Sequence, residues 1–182
     1  MKRLFFLLIL FLSIQMVYAQ TRSVHPIEGG FYAGLSLPLG SYHGGMSENG
    51  AKIGGDLRYN INNTPWDCGI FLEINSAQRD FKSEYSQNNR TSIIGIIGDY
   101  NFGQGANFNP YAGIGIGLAW NDVVGGSYIE TNGWSIAFTP RVGVEIFRHF
   151  RLSCGAQLSR AGYNTFNVSF GFVIGGGLKH KK

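Results

Sequence analysis

Eight segments of alternating apolar and polar residues, a charged content of 14% and 27 glycines predict an all-β fold: an eight-stranded antiparallel up-and-down transmembrane β-barrel. A period of two is the mark of a strand, because successive side chains leave the backbone on opposite faces. Charged residues fall well below the usual ~25%, whereas aromatic residues also reach 14%. After the first nineteen residues no apolar run approaches the ~18 residues of a membrane helix. Little charge, much glycine and no long apolar run leave two packed sheets or a barrel facing lipid.

Lys2 and Arg3, the apolar stretch Leu4 to Ile14 and the small-residue site Val17-Tyr18-Ala19 predict a signal peptide over 1–19, cut near Ala19. No cysteine follows that cut, so a lipoprotein anchor is not expected. The remainder suffices for one domain and divides into a short periplasmic arm at 20–29, the barrel at 30–178 and a basic tail at 179–182. The formal charge of +4 includes Lys2 and Arg3, and Lys179, Lys181 and Lys182 crowd the tail. With no basic face on the body, nucleic acid is not expected as a partner.

The strands follow in order. "GFYAGLSLP" sets Phe31, Ala33, Leu35 and Leu37 against Tyr32, Gly34 and Ser36. "AKIGGDLRYNI" opposes Ile53, Leu57 and Tyr59 to Lys52, Asp56 and Arg58. "WDCGIFLEINSAQR" opposes Trp66, Cys68, Ile70, Leu72 and Ile74 to Asp67, Glu73 and Asn75, with Phe71 out of character. The stretch Thr91 to Phe102 is blurred by Ile93, Ile94, Ile96 and Ile97, although Asp99 and Asn101 still alternate with Tyr100 and Phe102. "PYAGIGIGLAW" places Gly113, Gly115 and Gly117 on one face and Ile114, Ile116, Leu118 and Trp120 on the other. That G-x-G-x-G period belongs to a continuous strand, not to the strand-to-helix junction of a dinucleotide loop. "WSIAFTPRVGVEI", "FRLSCGAQLS" and "FNVSFGFVIGGGL" complete the eight.

Connections add an independent signal. With the N-terminus taken as periplasmic, the inner gaps "NNTP", "GQGANF" and "RHF" are short. The outer gaps "GSYHGGMSENG", "KSEYSQNN" and "DVVGGSYIETNG" are longer, and only the fourth, "AGYNT", is not. Short turns inside and longer loops outside are the asymmetry of an outer-membrane barrel. Trp66, Trp120 and Trp134 are expected at strand ends, as interfacial girdles.

The pattern resembles the small eight-stranded outer-membrane β-barrel proteins, the OmpX-like and PorT-like outer membrane protein beta-barrel domain group, above all in "GFYAGLSLPLGSY", "PYAGIGIGLAW" and "VSFGFVIGGGLK". The resemblance covers Gly29 to Leu178 and implies the bacterial outer membrane, contact with its lipid and with the barrel insertion machinery. It implies an architecture and no particular chemistry. Such barrels commonly finish on an aromatic residue, whereas the last aromatic here is Phe172.

Gly113, Gly115 and Gly117 are expected to face the lumen and make room for large neighbours, since an eight-stranded barrel is only wide enough to be filled by side chains. Those neighbours include the charges Asp56, Arg58, Glu73, Arg141, Glu145 and Arg151, a self-neutralising set read as a structural network rather than an ion path. A turn at Asn62 and Asn63 brings Asp56 and Arg58 toward Glu73, and one at Arg148 and His149 brings Glu145 diagonally near Arg151.

Cys68 and Cys154 fall on the lipid side of opposite strands, so neither a disulfide nor a metal site is expected, and no cofactor. Ser41, His43 and Glu48 share one outer loop and are the only set that suggests a lipid-modifying enzyme. Loop sequence alone does not hold a base against a hydroxyl, so a non-enzyme is expected. A soluble lipocalin-like carrier is the third reading; it requires the apolar phase to face inward. The favoured role is structural, or recognition of another envelope or surface protein through the outer loops.

Overall fold

The computed structural model describes residues 25–40, 46–62, 64–81, 85–103, 107–125 and 128–175. Among these, nine strands follow one another: β1 (Ile27–Pro38), β2 (Met46–Glu48), β3 (Gly50–Asn60), β4 (Trp66–Phe81), β5 (Tyr85–Asn101), β6 (Phe108–Gly125), β7 (Tyr128–Ile146), β8 (Phe150–Gln157) and β9 (Thr165–Gly175). Each long strand pairs antiparallel with its neighbours in sequence, and β1 pairs with both β3 and β9. The sheet therefore closes on itself as eight staves, with β2 a short addition to the upper edge of β4. Closure leaves these staves no free edge along the length they share, as backbone groups immersed in lipid require.

The side-chain distribution inverts that of a soluble protein. Phe31 is 71% exposed and Ile96 65%, and Leu57, Ile70, Ile114, Phe170 and Ile174 also face outward. Arg58 is 2% exposed and faces the axis. An apolar exterior and an ionic interior are what hydrocarbon as solvent selects, and they overturn the carrier reading.

Short turns close one end. Ile61 N donates to Trp66 O between β3 and β4, and Phe147 and Arg148 adopt φ of 52° and 64° between β7 and β8. This second turn sits one residue earlier than the sequence suggested. It pairs Ile146 with Phe150, so Glu145 lies directly opposite Arg151 and not diagonally. β1 begins at Ile27, within the stretch read as an arm, because Ile27, Glu28 and Gly29 pair with Tyr59, Arg58 and Leu57.

At the other end the strands are uneven. β4 to β7 have 16, 17, 18 and 19 residues, against 12, 11, 8 and 11 for β1, β3, β8 and β9. Much of what reads as the outer gaps "KSEYSQNN" and "DVVGGSYIETNG" is strand. Val123, Val124, Tyr128, Ile129 and Thr131 favour extended backbone, and continued pairing satisfies their peptide groups above the lipid. Trp120 and Trp134 are consequently not at strand ends. They lie inside β6 and β7 as a cross-strand pair with ring centroids 3.9 Å apart, while Trp66 packs on Tyr100 at 4.9 Å near the opposite end. Between the levels of Trp66 and Ile74 the outward face of β4 is apolar; Ser76 follows.

Candidate functional site

The lumen is where the polar and charged side chains converge, and it is built in three layers. Nearest the short turns is an ionic layer. Arg58 on β3 donates through Nε and Nη2 to the two oxygens of Asp56, at 3.0 and 2.9 Å, and its Nη1 lies 2.6 Å from Asp99 on β5. Arg141 on β7 grips the same Asp99 in a two-point bond at 3.0 and 2.7 Å. Arg151 on β8 reaches Glu28 at 2.7 Å, Glu145 at 3.2 Å and Asp56 at 3.3 Å. The Tyr111 ring receives both Arg58 and Arg151, with guanidinium carbons 5.7 and 5.6 Å from its centre. Alternate residues from six strands thus meet in one network, in which each guanidinium serves more than one carboxylate.

An apolar collar stands next along the axis: Phe71, Ile93, Ile97, Ala119 and Ala137. Here the glycine ladder finds its reason. A methyl group on Gly115 would meet the Thr139 hydroxyl first, then Phe71 at 2.9 Å and Ile97 at 3.0 Å; on Gly117, the Ile94 carbonyl and then Ile93 at 2.8 Å; on Gly95, the Ile116 carbonyl and then Phe71 at 2.8 Å. Gly113 instead clears the carboxylate of Asp99. The glycines of β6 thus make room for different neighbours: Asp99 at Gly113, Thr139 and Phe71 at Gly115, and Ile93 with the β5 backbone at Gly117.

Beside the collar, Glu73 accepts from Lys52 at 2.8 Å and from the Tyr32 hydroxyl at 3.2 Å. A cavity of about 30 Å³ lies between this pair and the ionic layer, lined by Tyr32, Lys52, Asp56, Arg58, Glu73 and Arg141 among others. Its volume is of the order of one water molecule.

The third layer, toward the uneven rim, carries amides and hydroxyls. Thr91 donates to Asn121 at 3.2 Å, Asn121 to Ser135 at 2.7 Å, and Gln157 to the Tyr163 carbonyl at 3.2 Å. Asn89 donates to the carbonyl of Gly162 at 2.9 Å.

All six charges singled out in the sequence point into the lumen. The structure brings Asp56, Arg58, Arg141, Glu145 and Arg151 into one network and leaves Glu73 apart, bound to Lys52. Glu73 lies opposite Gly54, one diagonal step from Asp56, and lines the same small cavity as Asp56 and Arg58, but its ion pair is with Lys52. Sequence reasoning missed Glu28, Lys52 and Asp99 as members, and Asp67, which is 3% exposed and accepts from Asn101 at 2.9 Å. Lys52, Asp67 and Asp99 stand on the polar phase of their strands, the signal that could have found them.

Ser41 and His43 lie outside the described residues, while Glu48 is exposed on β2. Cys68 is exposed on the outer wall and Cys154 half-buried, both unbridged. Among the described residues no three acidic, histidine or cysteine side chains gather as a metal site.

Comparison with known proteins agrees with this geometry. A family model described as outer membrane protein beta-barrel domain matches residues 4–180. Among solved structures, Neisserial surface protein A is 17% identical, with 84% of this chain and 96% of that one aligned at a TM-score of 0.53. The N-terminal beta-barrel domain of Pseudomonas aeruginosa OprF is 12% identical, with 85% and 100% aligned at 0.52. At these identities the likeness is one of fold. No curated protein matches the chain.

Proposed function

Because the chain belongs to the outer membrane protein beta-barrel domain family and is an eight-stranded protein of the bacterial outer membrane, we propose that it serves as a sealed barrel with a structural or surface-recognition role. The observation that carries the reading is the double obstruction of the bore. Phe71 and its isoleucine neighbours occupy one level and the Arg58, Arg141 and Arg151 network the next. An ion moving along the axis would have to displace an aromatic ring and then break charge-assisted bonds in a poorly hydrated space. We read the role as non-enzymatic: among the described residues the lumen offers paired charges and no nucleophile held against a base.

The recognition half of the proposal draws on the rim. β4 to β7 rise above the other staves, so their hairpins stand clear of the lipid, where another envelope or surface protein can reach them. The short-turn end then faces the periplasm, in keeping with short turns inside and long connections outside.

Planar-bilayer recording on refolded protein tests the seal: a quiet membrane is expected. Discrete conductance steps whose ion selectivity changes in Arg141→Ala would replace this reading with an ion path. Removal of the β4–β5 and β6–β7 hairpin tips tests the rim; it should leave insertion and heat-modifiable gel migration intact while abolishing surface binding.

A further inference from the structure

The connection between β8 and β9, the one outer gap that is short in sequence, does not stand up with the others. Arg160 and Ala161 are exposed, yet Tyr163, two residues on, is only 3% exposed. An aromatic ring on the outside of this cylinder has nothing to bury it, as Phe166 and Phe170 show, so Tyr163 is turned into the mouth. Gly162, at φ 87°, supplies the left-handed step that folds the chain inward. The Asn89 to Gly162 bond confirms the direction: β5 stands three staves from β8 and four from β9, across the lumen. Asn89 also lies four residues below the first residue of β5, so the turn is seated under the rim. Gln157 holds the Tyr163 carbonyl, the side chain of Asn164 accepts from Ser159 N at 2.8 Å, and its carbonyl accepts from Leu39 N at 2.8 Å.

We propose that residues 160–164 are a lid on the rim-side mouth of the lumen, with Tyr163 as its stopper, and that this lid lifts while the ionic layer stays closed. The bonds named above join neutral groups, and water can replace each of them as the turn rises. The layer exposed by lifting, with Thr91, Asn121 and Gln157, is equally neutral and able to take water. The arginine network below has no such freedom, because opening it separates buried charges. The lid gives the sealed barrel an outer vestibule that opens and a floor that does not; it rests on the sealed-barrel reading and adds a moving part.

Thiol accessibility tests it. In a chain carrying Cys68→Ala and Cys154→Ala, Thr91→Cys places a single thiol on β5 two residues below the lid's anchor. Membrane-impermeant, cationic methanethiosulfonate is applied to the full-length protein in lipid vesicles, with Glu48→Cys as the freely reacting reference. Slow labelling of the Thr91→Cys chain is expected, accelerated roughly tenfold by Asn89→Ala, which removes one anchoring bond. Tyr163→Ala should accelerate it at least as much. Labelling as fast as the reference without any lid substitution overturns the lid, and so does labelling that stays slow in both lid variants. Heat-modifiable migration confirms that each variant has closed its barrel. Conductance recorded on the same vesicles keeps the two readings apart: steady current in the parent chain sinks the seal, whereas the lid stands or falls on the thiol.

Discussion

The two halves of the lumen solve one packing problem with different chemistry. Toward the short turns, Arg58, Arg141 and Arg151 are threaded among Glu28, Asp56, Asp99 and Glu145. Toward the rim, Thr91, Asn121, Gln157 and Thr165 satisfy one another with amide and hydroxyl bonds. Both halves are buried and both are bonded, but removing one partner has unequal consequences. A guanidinium withdrawn from the first half leaves carboxylates facing one another without water. A hydroxyl withdrawn from the second leaves an amide that can turn to another partner. The ionic half therefore fixes the barrel's cross-section, and the neutral half is where motion is affordable.

Four substitutions sharpen or break that contrast, measured as unfolding free energy by urea titration in lipid vesicles. Arg58→Ala should cost most, about 3–5 kcal/mol, because Asp56 and Asp99 lose their shared cation. A loss below about 1 kcal/mol would show that the charges do not hold the cylinder. Phe71→Ala in the collar should cost about 3 kcal/mol through the void it leaves between Ile93 and Ile97. Thr91→Ala, in the neutral half, should cost about 1 kcal/mol, and a value equal to that of Arg58→Ala would erase the difference between the two halves. Ile96→Leu on the outer wall should change stability by less than about 0.5 kcal/mol, since one aliphatic surface replaces another against lipid.

Much of the fold was legible because alternation states which face a residue occupies without knowing its neighbours. Where the period of two is clean, as in "FNVSFGFVIGG", the structure follows it residue by residue, Phe166 to Ile174 outward and Asn167 to Val173 inward. The period blurred over Thr91 to Phe102 for a physical reason. Ile93 and Ile97 face inward as part of the collar while Ile94 and Ile96 face lipid, so apolar residues occupy both phases. Phe71 looked out of character for the same reason. Partner choice was less legible than facing, because a register is set by turn geometry, and placing a turn one residue early or late moves every cross-strand pair. Glu145 and Arg151 came out directly opposed, and Glu73 went to Lys52. Strand tops were least legible: above the lipid no hydrophobic phase marks where a hairpin continues, and β6 and β7 run on past their tryptophans.

The ring of Phe71 rests against Gly95 and Gly115, on two strands other than its own. Such an arrangement conserves volume across the bore, so that none of the three positions is free to vary by itself. A methyl at position 115 meets the Thr139 hydroxyl before the Phe71 ring, so Gly115→Ala combined with Phe71→Leu and Thr139→Ala should recover stability that Gly115→Ala alone forfeits, whereas at position 95 the backbone of Ile116 and Gly117 excludes the methyl whatever stands at position 71. Descent with modification at this level of the barrel would then proceed by concerted steps, with single changes visible mainly as losses.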